Sequence, residues 1–285
     1  MDVLIWSVDP EIVRFGGFTL RWYGVLFATA FLAGYEIMRR IYHAEGKPED
    51  ELDTLLIYMM LGTVLGARLG HVLFYDPAYY LAHPLRILAV WEGGLASHGG
   101  AIGIFLALWL YTRRRPDQPY LWLLDRLSIP TAFGGACIRT GNLFNSEILG
   151  NPSELPWAVV FARVDVIPRH PVQVYEALAY LVIFLGLYAL YRRTRRATPE
   201  GRLLGSFLVA VFGVRFLLEF LKTPQAAYES GFAITVGQWL SLPLIAVGVW
   251  LLLRSRRLRH CGAHQVGGGL AWAGSGSRKL LRVRS

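Results

Sequence analysis

The sequence predicts an all-α polytopic membrane protein with seven transmembrane helices, an external N-terminus, a cytoplasmic C-terminus and a small external cap. Three observations lead there. Hydrophobic residues make up 54% of the 285, charged residues only 17%, and the mean hydropathy is +0.39, whereas soluble domains carry about 25% charged residues. Seven apolar runs, at about 18–38, 54–74, 95–111, 121–138, 172–191, 203–221 and 234–253, approach the roughly 20 residues that cross a bilayer. They lack a polar face wide enough for a soluble helical core. Finally, 19 of the 29 Lys and Arg residues fall in segments 39–53, 112–120, 192–202 and 254–285, and only six in the alternate segments. The positive-inside rule turns that asymmetry into the stated orientation.

Taken in order, the start "MDVLIWSVDPEIVRF" is acidic and lacks the basic region of a secretory signal, so the first run is read as an uncleaved helix. The second run holds "GTVLGARLG", where Gly62, Gly66 and Gly70 form a face for close helix packing. "HPLRILAVWEGG" precedes the short third run and reads as an interfacial or re-entrant piece. The long connection at about 144–171 contains "WAVVFARV", which predicts a short strand pair and hence the cap. The membrane domain is drawn over 1–257. The Gly/Ser-rich basic tail 258–285 is predicted to be disordered. No internal repeat of the transporter kind is visible.

The net charge of +9 raises nucleic acid as a partner. Its placement in alternate loops points instead to anionic membrane lipid, with no nucleic acid. Two cysteines, Cys137 and Cys261, give no disulfide framework. The seven histidines show no HExxH spacing, so neither metal nor cofactor is expected.

Four arginines lie within the runs, where each costs about 2.5–3.5 kcal/mol at a helix centre. Arg21 and Arg126 stand near run ends and can snorkel. Arg68 and Arg215 are deeper, and the orientation puts both in the outer half. Arg139 ends the fourth run on that side, and His98 and Tyr23 start the third and first. Five polar groups on five helices thus share one depth. Bland readings stand beside this convergence. Arg215 has Glu219 one turn later, an i, i+4 partner that could merely neutralise it. His98, among the glycines of "GGLASHGG", could be a packing residue. Tyr23 could belong to an interfacial aromatic belt.

"GGACIRTGNLFNSEILG", residues 134–150, resembles the signature GxRxGNxxNxE followed by glycine of the prolipoprotein diacylglyceryl transferase family. Only the first glycine departs, being Cys137. Six further segments resemble the family in order: "LRWYG" (20–24), "GARLGHVLFYD" (66–76), "GGLASHGG" (93–100), "PRHPVQVYEA" (168–177), "RFLLEF" (215–220) and "GQWLSLP" (237–243). The resemblance implies a transferase that moves the diacylglyceryl group of phosphatidylglycerol onto the lipobox cysteine of a prolipoprotein signal peptide. A thioether forms and glycerol phosphate leaves, as the first step of lipoprotein maturation. It implies a bacterial inner-membrane enzyme working toward the outer leaflet. Matching functional positions are Tyr23, His98, Arg139, Asn142, Glu147, Gly150 and Arg215. Lys222 replaces what is often an arginine.

The residues suit that chemistry. A thiol of pKa about 8.5 must lose its proton to attack, and His98 is the natural base. Arg139 and Arg215 offer planar bidentate donors to a phosphate, with Arg68 at the same depth. Asn142 and Asn145 add neutral donors, Glu147 is expected to hold Arg139, and Glu219 to orient Arg215. Gly134, Gly135 and Gly141 would let lipid approach the backbone. A transporter would carry its charges on toward the cytoplasmic side, whereas these cluster in one half. An intramembrane serine protease needs its serine and histidine on separate helices, but Ser97 and His98 are adjacent.

Overall fold

The computed structural model describes residues 4–16, 18–90, 94, 96–223 and 234–269. Seven long helices occupy the seven apolar runs: α1 (Trp22–Glu45), α2 (Asp50–Phe74), α4 (Ser97–Arg113), α5 (Tyr120–Asn145), α6 (Val172–Thr194), α7 (Arg202–Leu218) and α8 (Val236–Gly269). A short α3 (Pro77–Ala82) and a 3-10 turn at Pro84–Leu88 fill the interfacial segment. Within the described residues α2, α6, α7 and α8 are long and apolar enough to cross a membrane. The other three fall short for identifiable reasons. α4 has only 17 residues, α5 carries Asp125, Arg126 and Arg139, and α1 is diluted by Tyr23, Tyr35 and Glu36.

The first run does not begin as helix. Phe18–Arg21 is a strand, β3, antiparallel to β2 (Glu11–Phe15), with Phe15 opposite Phe18 and Gly16 at φ 59° in the turn. Alternating β-formers around a glycine turn prevail over apolar length. Arg21 therefore stands outside the helix, exposed and paired with Glu11 at 3.3 Å. β1 (Leu4–Trp6) runs parallel to β4 (Val159–Phe161), which pairs antiparallel with β5 (Pro168–Arg169). "WAVVFARV" supplies one strand, β4, and not a pair: its partners are β5, a few residues beyond that stretch, and β1 at the N-terminus. At the other end of the chain, α8 continues to Gly269. A tail drawn from 258 thus begins inside a helix, and residues 270–285 lie outside those described.

Close packing of α2 on α4 rests on the expected glycines. A Cβ at Gly66 would lie 2.4 Å from the Gly99 carbonyl oxygen, and one at Gly62 2.7 Å from that of Gly103. Backbone meets backbone there, so nothing flexible can yield. Gly66→Ala is expected to destabilise by about 1–3 kcal/mol, the usual overpacking cost. Gly186→Ala, whose Cβ meets nothing within 4 Å, should be neutral or slightly stabilising through helix propensity. Unfolding midpoints in detergent check the pair.

Arg126 does not snorkel. It is 1% exposed and pairs with buried Glu45 at 3.1 Å, while Glu45 also accepts from the Trp122 indole. Its neighbour Asp125, also buried, accepts from the Gly201 and Leu204 amides at 2.6 and 2.7 Å. Asp125 thereby satisfies the open amides at the start of α7 from another helix. These contacts fix the ends of α1, α5 and α7 that lie farthest from Arg139.

Candidate active site

The site gathers where α5 ends. Ser146 and Ile148 adopt left-handed backbone conformations, φ 53° and 57°, which cost non-glycine residues of order 1 kcal/mol or more each. That turn aims Glu147 back at its own helix. Its carboxylate accepts from Asn142 at 3.0 Å and Asn145 at 3.1 Å. Asn142 in turn accepts from Arg139 Nη1 at 3.3 Å. Glu147 thus reaches Arg139 through Asn142, not directly.

The group that holds Arg139 is Glu176, one turn inside α6 and fully buried. Arg139 Nε lies 2.8 Å from Glu176 Oε2, and Lys222 Nζ 3.0 Å from Glu176 Oε1. Both contacts are within ion-pair distance, though neither follows the carboxylate's hydrogen-bond directions. Lys222, itself buried, also lies 3.0 Å from Glu219. A charge chain therefore runs Arg139–Glu176–Lys222–Glu219 across α5, α6 and the segment after α7. Glu219 pairs with Lys222, not with Arg215 as its i, i+4 spacing suggested. Its carboxylate also fills the space beside Gly237.

Arg215 is left without a carboxylate or hydrogen-bond acceptor among the described residues, while half-buried on α7. Its link to the site is Tyr180 on α6, whose hydroxyl contacts Arg139 and lies in electrostatic range of Arg215. Tyr180 is buried, with its ring against Gly135. The sequence reasoning missed Glu176, Gln173 and Tyr180. Glu176 carried a signal: an acidic residue within an apolar run needs a partner. Gln173, fully buried, donates to the Glu147 carbonyl at 2.6 Å.

Gly141 serves packing, since a Cβ there would sit 2.7 Å from the Tyr23 ring. Tyr23 lies in electrostatic range of Glu147 and Arg139. Gly150 lets two segments meet: a Cβ would fall 2.3 Å from the His170 carbonyl oxygen. Its own carbonyl accepts from Thr223 at 3.0 Å and Arg169 at 3.3 Å. Arg169 also holds Asp165 at 2.6 Å and keeps that carboxyl below the usual range.

Arg68 is buried on α2. Its donors reach the carbonyls of Ile87 at 2.9 Å, Gly94 at 3.2 Å and Arg86, and its guanidinium lies over the Tyr80 ring. It anchors the interfacial segment to α2. His98 stands exposed on the first turn of α4. Its helix start is fixed by the Ala96 amide bonding the Ala67 carbonyl at 2.9 Å. No hydrogen bond joins His98 to Arg139, Arg215 or Tyr23 among the described residues.

Beneath these groups lies an almost wholly apolar cavity of about 540 Å³ between α1, α2, α4 and α5. Tyr23, Ala101 and Ile138 line one end, Met38 and Leu52 the other. From Tyr23 to Met38 it follows α1 for about 22 Å at 1.5 Å per residue. Ala101 stands three residues beyond His98, and Ile138 precedes Arg139. The cavity mouth therefore draws the His98 turn and the Arg139 turn to one end of the bundle.

The pattern of the family described as "Prolipoprotein diacylglyceryl transferase" matches residues 10–254. A protein of Tolumonas auensis named phosphatidylglycerol--prolipoprotein diacylglyceryl transferase is 54% identical over 255 residues, covering 90% of this chain and 98% of its own length. Proteins of the same name are 50% identical in Chloroherpeton thalassium, over 88% of this chain and 94% of theirs, and 42% identical in Porphyromonas gingivalis, over the same shares. The resemblance read from seven motifs is borne out, and the chain belongs to the prolipoprotein diacylglyceryl transferase family.

Proposed function

We propose that the chain transfers the diacylglyceryl group of phosphatidylglycerol to the lipobox cysteine of prolipoproteins, as the names of its relatives describe for them. One observation carries the reading. Arg139 contacts the Tyr180 hydroxyl, half-buried Arg215 on another helix lies in electrostatic range of it, and the Tyr180 ring packs on Gly135, which lines the apolar cavity. An anionic headgroup with acyl chains below it matches that combination. The thiol gives its proton to a base, its sulfur bonds the glycerol carbon, and the carbon–oxygen bond to phosphate breaks. Glycerol phosphate departs carrying the electron pair.

In this reading Arg139 and Arg215 grip the phosphate and stabilise the charge it gains. Asn142 and Asn145 stand ready as neutral donors, fixed by Glu147. Gly150 sets the loop that carries Glu147. His98 is the base, with Tyr23 or a phosphate oxygen of the lipid as alternatives. Arg68 supports the site by anchoring the segment before α4, and Glu219 positions Lys222. No metal or cofactor takes part. Labelled phosphatidylglycerol and a lipobox peptide, incubated with purified protein, test the reaction. Release of labelled glycerol phosphate without labelled peptide would mean a phospholipase instead.

All seven long helices span the bacterial inner membrane, with the three-stranded cap outside and the site toward the outer leaflet. The domain so formed is residues 1–257, with the cap at 144–171, and the basic end from 258 meets anionic lipid. The count of basic residues supports this orientation. In a Cys261→Ser background, Glu154→Cys should react with an impermeant thiol reagent added outside and Arg193→Cys should not. The reverse pattern puts the site in the wrong leaflet.

A further inference from the structure

At the end of the bundle opposite Arg139, a second hollow of about 290 Å³ opens between the last turns of α1 and α6. Arg40, His43 and Ala44 line it from α1, and Tyr188, Arg192 and Arg195 from α6 and its end. Two of the basic groups around the hollow are partnered. Arg40 is held by Glu36 at 2.7 Å and by the Tyr188 hydroxyl, and His43 stands 3.5 Å from Glu49. Arg192 and Arg195 have no carboxylate within ion-pair distance among the described residues.

Two helix C-termini meet at this place, and basic residues in a last turn ordinarily answer the helix dipole. That account is too small here. Two helix ends supply roughly one negative charge between them, and Arg196 already lies against Gly46 at the end of α1. Two whole guanidinium charges remain on Arg192 and Arg195. Arg195 moreover sits at φ 44°, a conformation that costs an arginine of order 1–3 kcal/mol, and which directs the chain so that its side chain lines the hollow.

We propose that this hollow is a second anion site, binding the phosphate of an anionic lipid headgroup in the leaflet opposite the Arg139 site. Depth favours a lipid. Tyr23 and Tyr42 are separated by about 28 Å along α1, close to the roughly 30 Å hydrocarbon thickness, so the hollow falls at headgroup level when Tyr23 does. Its size suits a headgroup and not a whole lipid, whose chains would run down the exposed apolar face of α6, where Leu181 and Leu185 are open. Basic pockets between helices on the cytoplasmic side are suited to such headgroups.

The test uses the full chain in detergent and phosphatidic acid as probe, with phosphatidylcholine as the neutral reference, read by native mass spectrometry. The wild-type chain should retain one phosphatidic acid that Arg192→Gln/Arg195→Asn holds at least tenfold more weakly. The backbone at 195 has φ 44° and ψ −125°, and a melting curve confirms that the variant folds. Ala44→Glu, which keeps every arginine and adds a negative charge, should lose the same lipid. Transfer from labelled phosphatidylglycerol should be unchanged in both variants. Displacement of the lipid by millimolar inorganic phosphate would assign the site to the phosphate group alone, and failure to displace it to the lipid. Equal retention by wild type and both variants overturns the proposal.

Discussion

Arg139→Lys is expected to lower transfer about 10²–10³-fold, the usual cost of losing an aimed donor at a developing oxyanion, while folded yield stays near wild type. The geometry explains both halves. Glu176 fixes Arg139 Nε at 2.8 Å and Asn142 fixes Nη1 at 3.3 Å, so the remaining guanidinium donors point in a set direction. Lysine has one ammonium on a flexible stem. It can answer Glu176 or reach a phosphate, but it cannot be held by the first while gripping the second. Folding survives because Glu176, fully buried, keeps Lys222 at 3.0 Å and never becomes an unpaired buried charge. Arg215→Lys should lose activity for a simpler reason, since only the two-pronged geometry is removed from a group with no carboxylate partner among the described residues. Near-normal transfer by both variants would end the phosphate-clamp reading.

That a lysine already sits among these charges shows how much the sequence concealed. The seven long helices were legible because apolar length is a local property, and the glycines at 62, 66 and 70 were legible because their spacing marks one helix face. The hairpin at 11–21 was hidden because Phe18–Arg21 is apolar and continuous with the run that follows. Only the adjacent glycines at 16 and 17 signalled a turn between alternating segments. The site was legible as a set of residue types but not as a set of pairs. Glu219 looked committed to Arg215 by spacing, yet α7 gives way to a 3-10 turn at Glu219–Leu221, and that change of pitch turns Glu219 to Lys222. Glu147 looked like the partner of Arg139 because it is near in sequence. The actual partner, Glu176, is 37 residues away on α6, and only the packing of α5 against α6 brings it there. Partners that are distant in sequence set which charges are paired, and among the described residues they leave Arg215 without a carboxylate.

The other large effect separates proton transfer from grip. His98→Gln should slow transfer by about 10²–10⁴-fold, the range for a lost general base, and leave phosphatidylglycerol binding nearly intact. His98 is exposed and shares no hydrogen bond with either arginine among the described residues, so its loss should leave the proposed headgroup grip in place. Arg215→Gln should behave oppositely, weakening binding and rate together, because the phosphate is already anionic in the ground state. A pH series distinguishes the two. The free thiol has a pKa of about 8.5, so the thiolate fraction rises about tenfold per unit below that value. A rise from pH 6.5 to 8.5 should therefore restore a large part of the His98→Gln deficit. No amount of hydroxide replaces the guanidinium of Arg215→Gln, whose rate should stay low throughout. Lipid binding measured alongside completes the test. If His98→Gln binds lipid poorly and gains nothing from higher pH, His98 is a headgroup ligand or a packing residue. The proton would then pass to Tyr23, which lines the cavity mouth, or to an oxygen of the departing phosphate. Tyr23→Phe separates those two, since it removes the phenol and leaves the ring that packs on Gly141.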